Sequence, residues 1–176
     1  MIRSMHTSHS NHYNATLGMH TGSFSFARPS IGSWLSYGLG SENENLPSFM
    51  VLVSGGKDPD AGKNGWGSGF LPSEYQGVQC RSAGDPILYV SNPYGMSRNI
   101  RRKSIDAITE LNKAEHAEMG DPEILSRIAQ YEMAYRMQTS VPELTNLQDE
   151  SAATMDLYGP EANKPGSYAA NCLLAR

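Results

Sequence analysis

Two stripes of apolar side chains at helical spacing, on either side of Gly120, form the clearest pattern along the chain. Glycine is typical of the end of a helix, and Asp121 followed by Pro122 is typical of the start of the next one. The pattern therefore predicts a helical hairpin. The apolar positions of its two helices are Ile100, Ile105, Ala107, Ile108 and Leu111, and then Ile124, Leu125, Ile128, Tyr131 and Tyr135.

Two more helices are predicted after the hairpin. Residues 140–143 (SVPE) match a capping box, so we expect a helix to open there. It should run toward Leu157 and end at Gly159. A last helix is predicted from about Ser167. It has no C-terminal cap before Arg176, and an uncapped helix with an apolar face normally continues, so we expect the chain to be part of a longer protein.

Short apolar runs predict strands in the middle of the chain. The run at residues 48–53 lies between proline and glycine residues, as a buried strand often does. Residues 78–80 and 87–90 predict shorter strands. The Gly-rich segment 55–69 follows the first strand, where α/β enzymes place ligand loops. It lacks the spacing of a phosphate loop, a calcium loop or a hydrolase elbow, so we interpret it as a structured surface loop.

Two short helices are predicted nearer the N-terminus. One covers residues 11–20 and is closed by a Thr-Gly pair. The other covers residues 30–38, and its spacing predicts that Ile31, Trp34 and Leu35 face inward. With the strands and the hairpin, these elements predict an α/β or an α-rich domain whose second half is helix-rich.

Charge and cysteine usage exclude several classes of protein. The 14 Lys and Arg residues are outnumbered by 18 Asp and Glu, for a net charge of −4. No nucleic-acid partner is expected, because phosphate binding needs a surplus of basic side chains. No apolar stretch is long enough for a membrane span, and the N-terminus lacks the apolar core of a secretory signal. Cys80 and Cys172 lie far apart, which excludes a disulfide framework and a cysteine zinc cluster.

Four of the five histidines lie between residues 6 and 20. Imidazole is a common metal ligand and proton carrier near neutral pH, so the density of His6, His9 and His12 indicates a candidate site. Steps of three residues drift by about 60° each around a helix, so these three cannot share one helical face. A turn that leads into a helix can still bring two of them together. The alternative is a solvated, His-rich segment.

The start of the first predicted helix is a second candidate site. If Asn11 or His12 opens the helix, its side chain lies beside backbone N–H groups that have no helical partner, at the end where the helix dipole attracts anions. A phosphate or sulfate ester would suit this position. The alternative is ordinary capping by Ser10 or Asn11.

Several blocks of sequence, spread in order over essentially the whole chain, carry a family resemblance. They are residues 2–7 (IRSMHT), 11–12 (NH), 21–22 (TG), 28–34 (RPSIGSW), 37–42 (YGLGSE), 66–72 (WGSGFLP), 75–77 (YQG), 84–86 (GDP), 91–93 (SNP), 131–143 (YEMAYRMQTSVPE) and 156–159 (DLYG). With these blocks the chain resembles the bacterial family called domain of unknown function 1501, a sulfatase-like branch of the alkaline phosphatase superfamily.

The resemblance implies a larger, exported protein with a periplasmic or extracellular location. The implied fold is a partial alkaline-phosphatase-like sheet with flanking helices. Residues 1–176 would be an interior fragment of one such domain, rich in loops and strands over residues 1–95 and helical over residues 96–176. The motifs that hold metal in that superfamily would lie outside these residues. The resemblance therefore implies a divalent metal in the full-length protein and no activity of the fragment alone.

The resemblance also implies roles for residues near the N-terminus. In relatives within the superfamily a nucleophilic residue opens the helix that ends in Thr-Gly, which puts His12 near the nucleophile position with Asn11 beside it. His6 and His9 would be nearby metal ligands or proton carriers. Cys80 does not begin the pattern Cys-x-Pro-Ser-Arg, so formylglycine chemistry is not expected.

The expected function is that of a metallohydrolase homologue acting on sulfate or phosphate esters. Its substrate would be a small ester or a sulfated glycan. The alternative is a non-catalytic binding or surface-associated module of the same fold. The sequence leaves the oligomeric state open.

Overall fold

A computed structural model describes residues 3–26, 28–81, 86–87 and 90–176. Within these residues the fold is helix-rich, with six α-helices and a two-stranded parallel sheet. The elements in chain order are α1 (His12–Thr21), α2 (Ile31–Leu39), β1 (Met50–Leu52), β2 (Val78–Cys80), α3 (Arg98–Met119), α4 (Pro122–Leu144), α5 (Ala152–Tyr158) and α6 (Tyr168–Leu174). Short 3-10 helices cover Gly62–Trp66, Ser73–Tyr75, Leu147–Asp149 and Pro160–Asn163. The helix-rich mixture of helices and strands is as predicted, and the larger alkaline-phosphatase-like sheet stays a prediction.

The predicted hairpin is confirmed as α3 and α4. Ser97 caps α3 by accepting a hydrogen bond from the backbone N–H of Ile100, and Gly120 closes the helix with a positive φ of 68°. Asp121 caps α4, and Pro122 lies in its first turn, where no helical N–H is required.

An ionic contact joins the two helices of the hairpin. The guanidinium of Arg102 donates to the two carboxylate oxygens of Glu132 at 2.8 and 2.6 Å. It also lies 4.9 Å from the centroid of the Tyr135 ring. The hydrogen bonds from Arg102 lower the pKa of Glu132. A bidentate ion pair that is partly shielded from water constrains the alignment of the two helices more strongly than a single exposed hydrogen bond would.

The helix predicted to open at residues 140–143 is wrong, because α4 continues through them to Leu144. Val141 is fully buried and packs in the core with Met137, and this burial keeps the segment on the axis of α4. Pro142 lies in the last turn of α4, so the one helical hydrogen bond that its missing N–H removes is near the end of the helix.

The two remaining helices are short. α5 begins after Ser151, whose side chain accepts a hydrogen bond from the Thr154 N–H, and it ends at Gly159 as predicted. α6 begins after Ser167, which accepts from the Ala170 N–H and confirms the predicted last helix.

The sheet consists of β1 and β2, with Met50 opposite Val78 and Leu52 opposite Cys80. Both strands occur where the apolar runs predict them, and β1 is shorter than the run over residues 48–53. The sheet is therefore small, and helices provide most of the surface that covers it.

The core lies between this sheet and α4. Cys80 packs there with Met137 and Val141. Ile87 and Val90 belong to the same cluster and are both buried. The strand predicted over residues 87–90 lies partly outside the described residues.

α2 is present, but the face that it was predicted to bury is exposed. Ile31, Trp34 and Leu35 are 59%, 47% and 55% exposed, whereas Ser33 and Ser36 are buried. The reason is the close approach of α2 to its neighbours. The Ser33 hydroxyl donates to the Gly67 carbonyl at 2.9 Å, and only small side chains fit at such a distance.

Candidate functional site

The helix at the candidate anion site begins and ends where it was predicted. Asn11 is the N-cap of α1, and its side chain accepts a hydrogen bond from the Asn14 N–H at 3.2 Å. His12 is the first residue of the helix, and both Asn11 and His12 are exposed. The first helical hydrogen bond runs from the Ala15 N–H to the Asn11 carbonyl. The N–H groups of His12 and Tyr13 precede it and point out of the helix end.

Phe24 connects α1 to the segment that precedes it. A Cβ at Gly18 would lie 2.2 Å from the nearest Phe24 ring carbon, so only glycine allows this contact. The centroid of the Phe24 ring is 4.4 Å from that of His9. The Phe24 carbonyl also accepts a hydrogen bond from the Asn14 side chain at 2.7 Å. Phe24 thus sets the position of His9 relative to the start of α1.

A second contact fixes α1 on the Gly-rich segment after β1. The Asn64 side chain donates to the Tyr13 hydroxyl at 2.9 Å. His20 lies beside Gly65, where an added Cβ would be 4.0 Å from its ring. The segment 55–69 therefore has a defined structure, as predicted, and it supports α1.

The candidate histidines His6, His9 and His12 are all exposed. Nδ1 of His6 lies 3.4 Å from the Ser4 carbonyl oxygen, and His9 contacts Phe24. In the described part of the chain, no group of three or more His, Cys, Asp and Glu side chains is placed to hold a metal ion. The metal-binding roles of His6 and His9 therefore stay predictions.

Thr7, between the first two of these histidines, has an unusual environment. Its hydroxyl oxygen is buried and makes no hydrogen bond within the described residues. A buried hydroxyl without a partner costs free energy, so a polar group brought to this point would be stabilised. The sequence carries no signal for this feature, because Thr7 lies outside every predicted element.

A cavity of about 600 Å³ lies at the carboxyl ends of the parallel strands. Cys80, Arg81 and Asn163 line it, and so does Asn171, whose amide donates to the Ser54 hydroxyl at 2.8 Å. Burial raises the pKa of the Cys80 thiol. The thiol therefore stays protonated near neutral pH and is a weak nucleophile.

The exposed face of α2 contributes to a cluster of aromatic side chains that the sequence analysis missed. We call Trp34, Tyr37, Phe70 and Tyr75 the aromatic surface. The rings meet edge to face, with centroids 5.7 Å apart for Trp34 and Phe70, and 5.3 Å apart for Tyr37 and Tyr75. The small residues of α2 were the available signal, because they show which face approaches the neighbouring chain closely.

A second cavity, of about 590 Å³, opens beside the aromatic surface. Tyr75 lines it and so belongs to both features. Its lining combines apolar side chains with uncharged polar ones and one carboxylate, that of Glu74. The apolar residues are Leu46, Pro47, Val78, Met133 and Met137, and the polar ones include Ser41, Asn43, Ser73, Gln76 and Gln130.

The chain matches the model of a known protein family over its whole length. The family model described as "Protein of unknown function (DUF1501)" matches residues 1–176. The chain belongs to this family. Comparison of this DUF1501 chain with curated proteins and with solved structures gives no match.

Among the described residues, none of the helices has the length and apolar character of a membrane span.

Proposed function

We propose that this DUF1501 chain is part of a sulfatase-like metallohydrolase homologue that acts on sulfate or phosphate esters, with the start of α1 as its ester-binding end. One observation carries the proposal. α1 runs from His12 to Thr21, with Asn11 and Gly22 as its caps. In the superfamily that the chain resembles, the helix that carries the reacting residue also ends in Thr-Gly.

The chemistry of this helix end suits an ester anion. The N–H groups of His12 and Tyr13 lie before the first helical hydrogen bond and can donate to sulfate or phosphate oxygens. The helix dipole adds a favourable field at the same place. The His12 imidazole lies beside these donors and can carry a proton to or from the ester.

A divalent metal is implied for the full-length protein. When bound, such a metal would polarise the ester oxygen. His6 and His9 are candidate ligands, and the contact with Phe24 positions the His9 ring. The described residues supply no set of three ligands around them, so the remaining ligands would come from elsewhere.

A second candidate function is a non-catalytic binding module. The observation that favours it is the exposure of His6, His9 and His12 without a shared ligand set in the described part of the chain. A binding module needs no such set, and the aromatic surface offers a different place for a ligand.

Anion binding provides the first test. Inorganic sulfate and phosphate are titrated into the chain while the backbone amide signals are followed by NMR. We expect saturable shifts at His12 and Tyr13. Asn11→Ala, which removes the cap, should weaken them, and His20→Ala, an exposed histidine at the other end of α1, should not. Shifts spread evenly over the surface would contradict the proposed ester-binding end.

Turnover provides the second test. Hydrolysis of 4-nitrophenyl sulfate and 4-nitrophenyl phosphate is measured with zinc or manganese on the full-length gene product. We expect His12→Ala to abolish turnover and His20→Ala to preserve it. Turnover that is unchanged in His12→Ala would remove the site assignment. A product that turns over neither ester would favour the binding module.

A further inference from the structure

We propose that the aromatic surface and the cavity beside it bind a neutral carbohydrate. The described residues of this site come from α2, the 3-10 helix Ser73–Tyr75, α4 and the loops between these elements, and none of them belongs to α1. The proposal does not rest on ester hydrolysis, so either proposal can fail without the other.

The rings of the aromatic surface are exposed to solvent. Phe70 is 71% exposed and Tyr37 is 54% exposed, although both are large and apolar. An edge-to-face pair leaves at least one face of each ring free of its partner. The C–H bonds on one side of a sugar ring are weakly positive and pack well on the negative face of an aromatic ring.

The charge of the cavity distinguishes a neutral sugar from a sulfated or phosphorylated ligand. Among the described residues that line the cavity, Glu74 is the single charged one. None of the lining residues that the structure describes is Lys or Arg, so a sulfated or phosphorylated ligand would meet no counter-charge from them. Uncharged amides and hydroxyls, together with one carboxylate, match the donors and acceptors of a neutral sugar.

The site is held rigidly before any ligand arrives. The Gln130 amide on α4 donates to the Ser73 hydroxyl at 2.7 Å, and that hydroxyl also donates to Glu123. The Tyr75 N–H donates to the Pro72 carbonyl at 3.1 Å. These bonds fix the 3-10 helix on α4, so little entropy is lost when a ligand binds to Tyr75.

Tyr75 also brings a hydroxyl to the lining of the cavity. Partial burial and the nearby Glu74, with which the phenol makes a side-chain hydrogen bond, raise the pKa of Tyr75. The phenol therefore keeps its proton throughout the neutral range, and its oxygen can accept a hydrogen bond from a sugar hydroxyl.

A protein partner would use this region differently. It would cover the aliphatic side chains of α2 outside the cavity, Ile31, Leu35 and Leu39, which are all exposed. A sugar in the cavity would contact the rings and leave these side chains in water. Leu35→Ala therefore separates the two kinds of occupant, because it should weaken a protein contact and leave sugar binding unchanged.

The test measures the binding of maltose, cellobiose and N,N′-diacetylchitobiose by saturation-transfer NMR and calorimetry. We expect at least one of them to bind saturably at millimolar concentration. Tyr37→Ala and Phe70→Ala should each weaken binding about tenfold, as the loss of one ring contact predicts. Both residues are exposed, so these variants should fold, which circular dichroism checks. Tyr75→Phe keeps the ring and isolates the role of the hydroxyl.

Three controls keep the test specific. Tyr94→Ala, a fully exposed tyrosine outside the aromatic surface, should bind like the wild type, and so should Leu35→Ala and His12→Ala. Three outcomes would overturn the proposal: no neutral disaccharide binds, glucosamine 6-sulfate alone binds, or binding survives in both Tyr37→Ala and Phe70→Ala. Self-association that Leu35→Ala abolishes, without sugar binding, would assign the surface to a second copy of the chain.

Discussion

α4 and α2 meet the rest of the molecule in opposite ways. α4 turns large apolar side chains into the core, with Val141 and Met137 both buried. α2 turns small ones inward, Ser33 and Ser36, and leaves Trp34 half-exposed. The distance between neighbouring segments, and not hydrophobicity alone, therefore determines which face of a helix is buried.

The close approach on the α2 side can be traced to particular atoms. A Cβ at Gly32 would lie 2.3 Å from the Phe49 ring. The Ser30 N–H and the Ser33 hydroxyl both donate to the Gly67 carbonyl, at 3.1 and 2.9 Å. These polar contacts need the backbones close together, so the larger side chains of α2 must point away.

The largest expected effect comes from Gly69, which packs against the chain just before α2. Its φ is +58°, and a Cβ there would lie 2.4 Å from the Pro29 backbone nitrogen. Gly69→Ala should lower the free energy of unfolding by about 3 kcal/mol, since backbone strain and overpacking add. Urea denaturation measures it.

Gly56→Ala is the matched control for this change. Gly56 has a similar φ of +70° with no atom within 4 Å of an added Cβ. Gly56→Ala should lower the free energy of unfolding by about 1–2 kcal/mol, from backbone strain alone. If the two variants lost the same free energy of unfolding, residue 69 would not lie in close contact with the chain before α2.

The next effect tests the α4 side of the comparison. Val141→Ala should cost about 2 kcal/mol, because it leaves a cavity in the core that the surrounding residues only partly fill. Leu111→Ala is the control within the hairpin. Leu111 is 72% exposed on α3, and its loss should cost less than about 0.5 kcal/mol. If Val141→Ala were as mild as Leu111→Ala, the burial assigned to the end of α4 would be wrong.

A smaller effect concerns the ionic contact within the hairpin. The Arg102 and Glu132 side chains are 28% and 29% exposed, and Glu132→Gln should cost about 1 kcal/mol. Because the pKa of Glu132 is lowered on folding, the ionic contact contributes fully to the free energy of unfolding above the pKa of an unfolded glutamate. This contribution is lost as the pH falls through the lower pKa that Glu132 has in the folded state. Unfolding measured against pH should show the wild type and the variant converge in acid.

Glu110→Gln is the control for the ionic contact. Glu110 pairs with Lys113 on the surface of α3, where both side chains are mostly exposed. Its replacement should leave the unfolding free energy unchanged within error. A wild type and a Glu132→Gln variant that keep a constant difference down to strongly acidic pH would contradict the role given to Arg102.

The smallest expected effect is on α2 itself. Leu35→Ala removes a large apolar side chain from a helix, yet it should change the free energy of unfolding by no more than about 0.5 kcal/mol, because Leu35 is already in water. A loss comparable with that of Val141→Ala would show that Leu35 is buried in solution.

The hairpin and the helix caps could be predicted because local interactions determine them. Asn11 and Asp121 each cap a helix where the sequence predicts one. The small residues of α2 were a signal for its buried face, but periodicity shows only which residues share a face and does not show which face lies inward. That depends on Phe49 and Gly67, which are distant in sequence.

The error at residues 140–143 has a similar cause. The same four residues can open a helix or occupy the last turn of one, and the burial of Val141 beside the sheet selects the second arrangement. The candidate site shows the same limit. The sequence predicts α1 and its boundaries, but the place of Phe24 between Gly18 and His9 arises from tertiary packing.

The two tryptophans of the chain report on the orientation of α2. Trp34 is 47% exposed, and Trp66 is 5% exposed. Acrylamide quenching is measured on Trp66→Phe, in which Trp34 alone emits, and on Trp34→Phe, in which Trp66 alone emits. We expect red-shifted, strongly quenched emission from Trp34, and blue-shifted, weakly quenched emission from Trp66. Equal quenching, or a Trp34 that is the better shielded of the two, would contradict it.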